Sequence, residues 1–251
     1  MRTLTALILS GVCVAAAAPC PADDLCYEMR TYYANEGKLD ALHSRFRDHT
    51  VGLFEKHGIR NIGYWVPTDN KDNKLVYVIA FPSREKQPQM WKAFLNDADW
   101  KAAYKASVAD GRLVGKIESV FLTATDFSPA IKVKAADTPR LFELRTYTTR
   151  ENRLDALKAR FRDHTVGLFT KHGLTNVAYW TPADEDKGRD NKLVYMLAHD
   201  SEDGRAAAFA AFGKDPQWQA ARKASVEDGP ILVKKGVKSE MLKPTDYSPL
   251  K

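Results

Sequence analysis

The sequence predicts an α+β protein built from two tandem copies of one βαββαβ unit. Three observations carry that expectation. The ten letters "RFRDHTVGLF" occupy residues 45–54 and recur at residues 160–169. Around them, laying Glu28 on Glu143 aligns the halves without a gap from "YEMRTYYANEGKLDAL" and "FELRTYTTRENRLDAL" through "GYWVP" and "AYWTP". The later register slips fall at turn positions, where changes of length are tolerated. Within each copy the hydrophobic period then alternates between two and 3.6 in the same order.

Each element follows from its own residues. "YEMRTYY" alternates at period two and is rich in aromatic and β-branched side chains, as a strand requires. From Lys38 to His57 the apolar residues Leu39, Leu42, Phe46 and Leu53 recur at helical spacing, and Gly58 supplies the left-handed residue that commonly ends a helix. "NIGYW" and "KLVYVIAF" are two further strands around the polar turn "TDNKDN". A second helix starts near Ser83, carries Trp91, Phe94 and Trp100, and breaks around "NDAD", where the other copy has "KDPQ" with Pro216. "RLVGKIESVFL" is a fourth strand. The order βαββαβ is that of a ferredoxin-like unit, which leaves one sheet face uncovered. A second copy on the same chain supplies the cover, so the two sheets are expected to close face to face as a pseudo-dimeric α/β barrel.

Composition sets the class. The chain has 251 residues, 44% hydrophobic and 28% charged, which describes a globular protein. Between Arg2 and Asp23 runs "LTALILSGVCVAAAAP", too short to cross a bilayer comfortably and followed by small residues, as in a secretory signal peptide. The expected organisation is a signal peptide over 1–22, a first domain over 23–130, a linker over 131–139 and a second domain over 140–251. Cleavage after Ala22 would leave Cys26 as the sole cysteine, so a periplasmic or secreted product would have no internal disulfide. The mature net charge of +5, with no block of five like charges, argues against a nucleic-acid partner, and no membrane partner is expected after cleavage. The pseudo-dimer lies within one chain, and further oligomerisation is left open.

The segments "YEMRTYYANEGKLDAL", "FRDHTVGLFEKHG", "GYWVP", "KLVYVIAF", "DADWKAAYKAS" and "TDFSP", and their second-copy counterparts ending in "TDYSP", together resemble the NIPSNAP domain. The resemblance spans nearly the whole mature chain in both copies. It implies the dimeric α/β-barrel fold and brings no established reaction. Eukaryotic members are mitochondrial and tied to organelle quality control and trafficking, a setting from which an exported tandem protein departs. Other families on this fold include cofactor-independent monooxygenases, haem-degrading oxygenases and isomerases, an analogy of fold alone.

Two constellations could carry chemistry. With about 100° of rotation per residue, an unbroken helix aims His49 and His57, and in the second copy His164 and His172, toward their own sheet, with Arg45, Arg47 and Asp48 pointing away. His57 and His172 also suit a helix C-terminus, where a cation meets unsatisfied carbonyls. His49 and His164 are the leading candidates for a catalytic or pocket-lining role. On the first strand, Glu28, Arg30 and Tyr32 share one face, as do Glu143, Arg145 and Tyr147. They form either a salt-bridge ladder or a fork in which Arg30 and Arg145 hold a carboxylate and Tyr32 and Tyr147 donate hydroxyls. Tyr64 and Tyr179, next to Trp65 and Trp180, are core residues or ligand platforms. His43 and His199 lack a histidine counterpart in the other half and are not included.

Residues eight apart on a helix are separated by about 12 Å, too far for a shared zinc, so no metal and no cofactor is expected. There is no G-x-G-x-x-G, phosphate-cradling loop, G-x-S-x-G, H-E-x-x-H or C-x-x-C. Three functions remain. The first is an exported protein binding a small carboxylate-bearing or aromatic molecule in clefts between the first helix and the sheet. The second is a cofactor-independent oxygenase or isomerase with His49 or His164 as general base. The third is a structural module without ligand.

Overall fold

The computed structural model describes residues 25–133 and 138–251; the expected signal peptide and residues 134–137 of the linker lie outside the described residues. The N-terminal half runs β1 (Cys26–Ala34), α1 (Leu39–Arg45), a π-helical turn (Phe46–Thr50), α2 (Val51–Lys56), β2 (Arg60–Pro67), β3 (Lys74–Phe81), α3 (Gln87–Asn96), α4 (Ala98–Ser107) and β4 (Val114–Ala124). The C-terminal half repeats it as β5 (Leu141–Thr149), α5 (Leu154–Arg160), a π-helical turn (Phe161–Thr165), α6 (Val166–Lys171), β6 (Thr175–Pro182), β7 (Lys192–His199), α7 (Glu202–Lys214), α8 (Pro216–Ala224) and β8 (Leu232–Pro244). The order matches the expected βαββαβ twice. No helix among the described residues is long and apolar enough to cross a membrane.

All strand pairs are antiparallel, and the strands close in the order β1-β3-β2-β8-β5-β7-β6-β4. The pleat gives each strand two faces with different tasks. Tyr27, Trp65, Val76 and Val78 meet Phe142, Trp180, Val194 and Met196 inside the barrel, so this inner core belongs to both halves. The alternate residues, such as Tyr64, Tyr77 and Ile79, face outward under Phe46, Phe54 and Phe94 from the helices, and the C-terminal half has its own equivalent layer. Each such side chain, when fully buried, is worth about 1.5–3 kcal/mol.

The seam between the halves is narrow in backbone terms. Only Trp65, Val66 and Pro67 of β2 pair with β8, and only Leu122, Thr123 and Ala124 of β4 pair with β6. The tails after β4 and β8 reinforce it by crossing to the opposite half. Thr245 N–H donates to the Tyr64 carbonyl at 2.9 Å, and Tyr64 N–H donates to Ser248 Oγ at 2.9 Å. Thr125 and Ser128 do the same for Tyr179. Arg47 forks Asp246 at 2.5 and 2.8 Å, and Arg162 forks Asp126 at 2.6 and 2.8 Å. Much of the letter-for-letter repetition in "FRDHT", "YW" and "TD-S-P" thus serves a reciprocal clasp.

The expected single helix from Lys38 to His57 is broken by the π turn, and this changes which side chains face the sheet. Thr50 Oγ1 donates to the Arg45 carbonyl at 3.1 Å, five residues back, and Thr165 repeats the bond to Arg160. A wider turn advances each residue by less than the α-helical angle, so the inward stripe slips by about one position. Thr50 and Phe54 become buried in place of His49. Arg45, the last residue of α1, is buried because α4 covers its flank with Trp100 and Tyr104. Asn61 Nδ2 then ties the helix to β2 through the Val51 carbonyl at 3.0 Å, as Asn176 does for Val166 at 3.1 Å.

Candidate functional site

A cavity of about 440 Å³ opens in the N-terminal half between the first helix, the α3–α4 hairpin and the outer face of β1 and β4. Its charged and polar groups are Arg30 and Tyr32 from β1, Arg45 and Thr50 from the first helix, Gln87 from α3, Tyr104 from α4, and Arg112 beside β4. Phe46, Phe54, Trp91, Phe94 and Trp100 supply apolar walls. A larger polar recess of about 670 Å³ lies across both halves, but its charges answer one another, as where Lys74 meets Glu240 at 3.1 Å.

Two arginines in the cavity differ in kind. Arg30 pairs with Glu28, which is 1% exposed and also accepts from Trp91 Nε1 at 3.0 Å and Ser119 Oγ at 2.6 Å. That is the expected ladder, and its carboxylate is fully engaged. Arg45 is 6% exposed and has no carboxylate within ion-pair distance among the described residues. Its guanidinium lies 5.5 Å from the ring centres of both Trp100 and Tyr104, and Nη1 donates to Ser107 Oγ at 3.2 Å. Its Nε, like that of Arg30, is buried without a hydrogen-bond partner. Burial accordingly pulls the Arg45 pKa down from its usual value. A buried cation held by two aromatic faces and one hydroxyl is costly, and an anion would offset that cost.

The histidines lie elsewhere. His49 and His164 are exposed on the outward side of their helices, which corrects the inward placement expected from an unbroken α-helix. The π turn is the reason. His57 occupies the C-cap of α2, and its Nε2 meets Asp97 Oδ2 at 2.8 Å; His172 meets Asp215 at 2.7 Å. Asp97 and Asp215 are the N-caps of α4 and α8, so each imidazole clips the first helix to the second. Tyr64 and Tyr179 are fully buried, donate to Asn61 and Asn176, and stack on Tyr77 and Tyr195. None of these six residues lines the cavity. Among the described residues no group of three or more His, Cys, Asp or Glu side chains is placed to hold a metal.

The matching region of the C-terminal half has different walls. By sequence register Gln87, Trp91, Leu95 and Tyr104 correspond to Arg205, Phe209, Gly213 and Arg222. Arg205 forks Glu143 at 2.6 and 2.7 Å, and His199 Nε2 approaches the same carboxylate at 3.2 Å. Arg145 also pairs with Glu143, and donates from Nε to Tyr195 at 2.8 Å and from Nη2 to Tyr147 at 3.2 Å. The Arg-Tyr face that lines a cavity in one half is saturated by intramolecular partners in the other. The Glu143 pKa is held well below the carboxylate range: desolvation opposes this, and the Arg205, His199 and Ser239 hydrogen bonds outweigh it.

With this architecture in view, comparison with known proteins is decisive for the family. The sequence profile of NIPSNAP matches residues 27–129 and again residues 142–249. The chain belongs to the NIPSNAP family. This NIPSNAP protein is 25% identical to the NipSnap homolog 3A proteins of Homo sapiens and Pongo abelii, over all of its own length and 94% of theirs. Among solved structures it is similar to a putative monooxygenase from Lactobacillus acidophilus, with a TM-score of 0.55 and 10% identity across 88% of this chain and 94% of that one. At that identity the likeness speaks for the fold alone. The fold is the dimeric α/β barrel, here completed within one NIPSNAP chain. Sequence reading missed Arg45 as a cavity residue. The available signal was that Arg45 and Arg160 fall in the repeated decamer together with a threonine five residues on.

Proposed function

We propose that this NIPSNAP protein is an exported carrier or receptor that binds a small aromatic or apolar carboxylate in the cavity of its N-terminal half. The observation that carries the reading is Arg45, a buried guanidinium without a carboxylate partner among the described residues that faces an aromatic-walled space. Cavities of 300–1,000 Å³ with apolar walls and a few convergent polar groups are the usual form of a small-molecule site. Arg45 would fork the carboxylate, Arg30 and Tyr32 would line its approach, and Trp91 and Trp100 would cover the apolar body. A general-base enzyme is the weaker reading, because neither His49 nor His164 lies among the cavity residues. A module with no cleft is weaker still, given the cavity itself.

Trp91 and Trp100 make binding readable by intrinsic fluorescence. Titration with 2-naphthoate should quench the wild-type signal to saturation, and Arg45→Met should weaken binding at least tenfold, since hydrogen bonds to charged groups are worth about 1.5–3 kcal/mol. Equal affinity in both proteins removes Arg45 from the account. Export is tested by N-terminal sequencing of the secreted or periplasmic product, which should begin at Asp23; a product retaining residues 1–22 contradicts it.

A further inference from the structure

Leu95, Tyr104 and Ile117 are 51%, 46% and 48% exposed, and all three sit on the lip of the cavity. Large apolar side chains are seldom grouped on a surface without an occupant. In the C-terminal half the first two become Gly213 and Arg222, and only Val237 keeps an apolar character. Arg160, the counterpart of Arg45, is likewise buried without a carboxylate partner among the described residues, 5.4 Å from the Trp218 ring centre; what sets the N-terminal opening apart is its exposed apolar lip. A compact acid held at Arg45 would leave this lip in water. We propose that the natural ligand is an amphiphile: an anionic head on Arg45 and an unbranched alkyl chain that leaves the cavity across Leu95, Tyr104 and Ile117. Because the C-terminal half lacks this lip, one such molecule is held per chain. The inference rests on the binding reading above and adds to it the shape and length of the ligand.

Isothermal titration of octanoate, decanoate and dodecanoate, each as the free monomer, tests it beside 2-naphthoate. Affinity should rise about fourfold per added methylene across the series, with one site per chain. The double variant Leu95→Ser/Ile117→Ser should weaken dodecanoate far more than 2-naphthoate, which also shows that the variant is folded. Equal affinity along the series, with 2-naphthoate still bound, overturns the amphiphile and leaves the binding reading standing. Failure of every ligand to bind overturns both. Uptake of dodecanoate from phosphatidylcholine vesicles but not from solution would make the lip a membrane-docking surface, and that too overturns the proposal.

Discussion

Arg30 and Arg45 are both arginines in one cavity, and their removal should have unequal consequences for stability. Arg30 neutralises the buried Glu28, so Arg30→Met strands a carboxylate and should cost about 3–5 kcal/mol of unfolding free energy. Arg45 neutralises nothing, so Arg45→Met exchanges its desolvation cost and its contacts with Trp100 and Tyr104 for ordinary packing. Its stability should stay within about 1 kcal/mol of wild type, since volume-conserving apolar replacement of a buried ionic group is often neutral or stabilising. Urea denaturation of the two variants measures the contrast; an equal loss in both contradicts it. This distinction was half legible in the sequence. The period-two face of β1 displayed Glu28 with Arg30, because strand alternation depends on nothing outside the strand. Arg45 was assigned to solvent because a wheel centred on Phe46 puts it about 100° off the inward stripe; α4 covers that flank with Trp100 and Tyr104, a tertiary contact that spacing does not show.

At the scale of elements, the π turn and the interhelical clip are where local rules were overridden. An α-helical wheel has no term for a threonine that bonds five residues back, so the burial of Thr50 and the exposure of His49 could not be read from spacing. The helix ends were legible, because a capping residue and a left-handed glycine are short-range signals: Gly58 has φ +72° and Gly173 φ +78°. The clip was legible from one side only, since His57 was recognised as a terminus residue but its partner Asp97 lies 40 positions away. Lys56 and His57 hold the Asp97 carboxyl below the usual aspartate range, and Lys171 and His172 do the same for Asp215. A depressed folded-state pKa stabilises above the unfolded value of about 3.9 and loses that contribution as pH falls below it. Asp97→Asn/Asp215→Asn should therefore lower Tm at pH 7 and make its decline between about pH 5 and pH 2 shallower. Parallel Tm-versus-pH curves for variant and wild type would show that the clips carry no such linkage.

For the whole molecule, the duplicated sequence made the barrel legible because a ferredoxin-like sheet has a face that must be covered. What it left open was how the two copies divide their work. The clasp accounts for much of the near-identity of the first helices, with Arg47 on Asp246 and Arg162 on Asp126. The cavity combines residues that both halves share, such as Arg45 and Thr50, with lip positions that differ, such as Leu95 against Gly213 and Tyr104 against Arg222. Since the inner core joins side chains of both halves, residues 23–130 expressed alone should not persist as a folded monomer. Size-exclusion chromatography with light scattering should find a dimer or aggregates, and a stable monomer with native circular dichroism contradicts a shared core. The central claim, one anionic guest seated on Arg45, is tested most directly by native mass spectrometry of the full chain saturated with dodecanoate. The account predicts a single adduct per chain that is lost in Arg45→Met. Two adducts per chain, or one that survives the substitution, would contradict it.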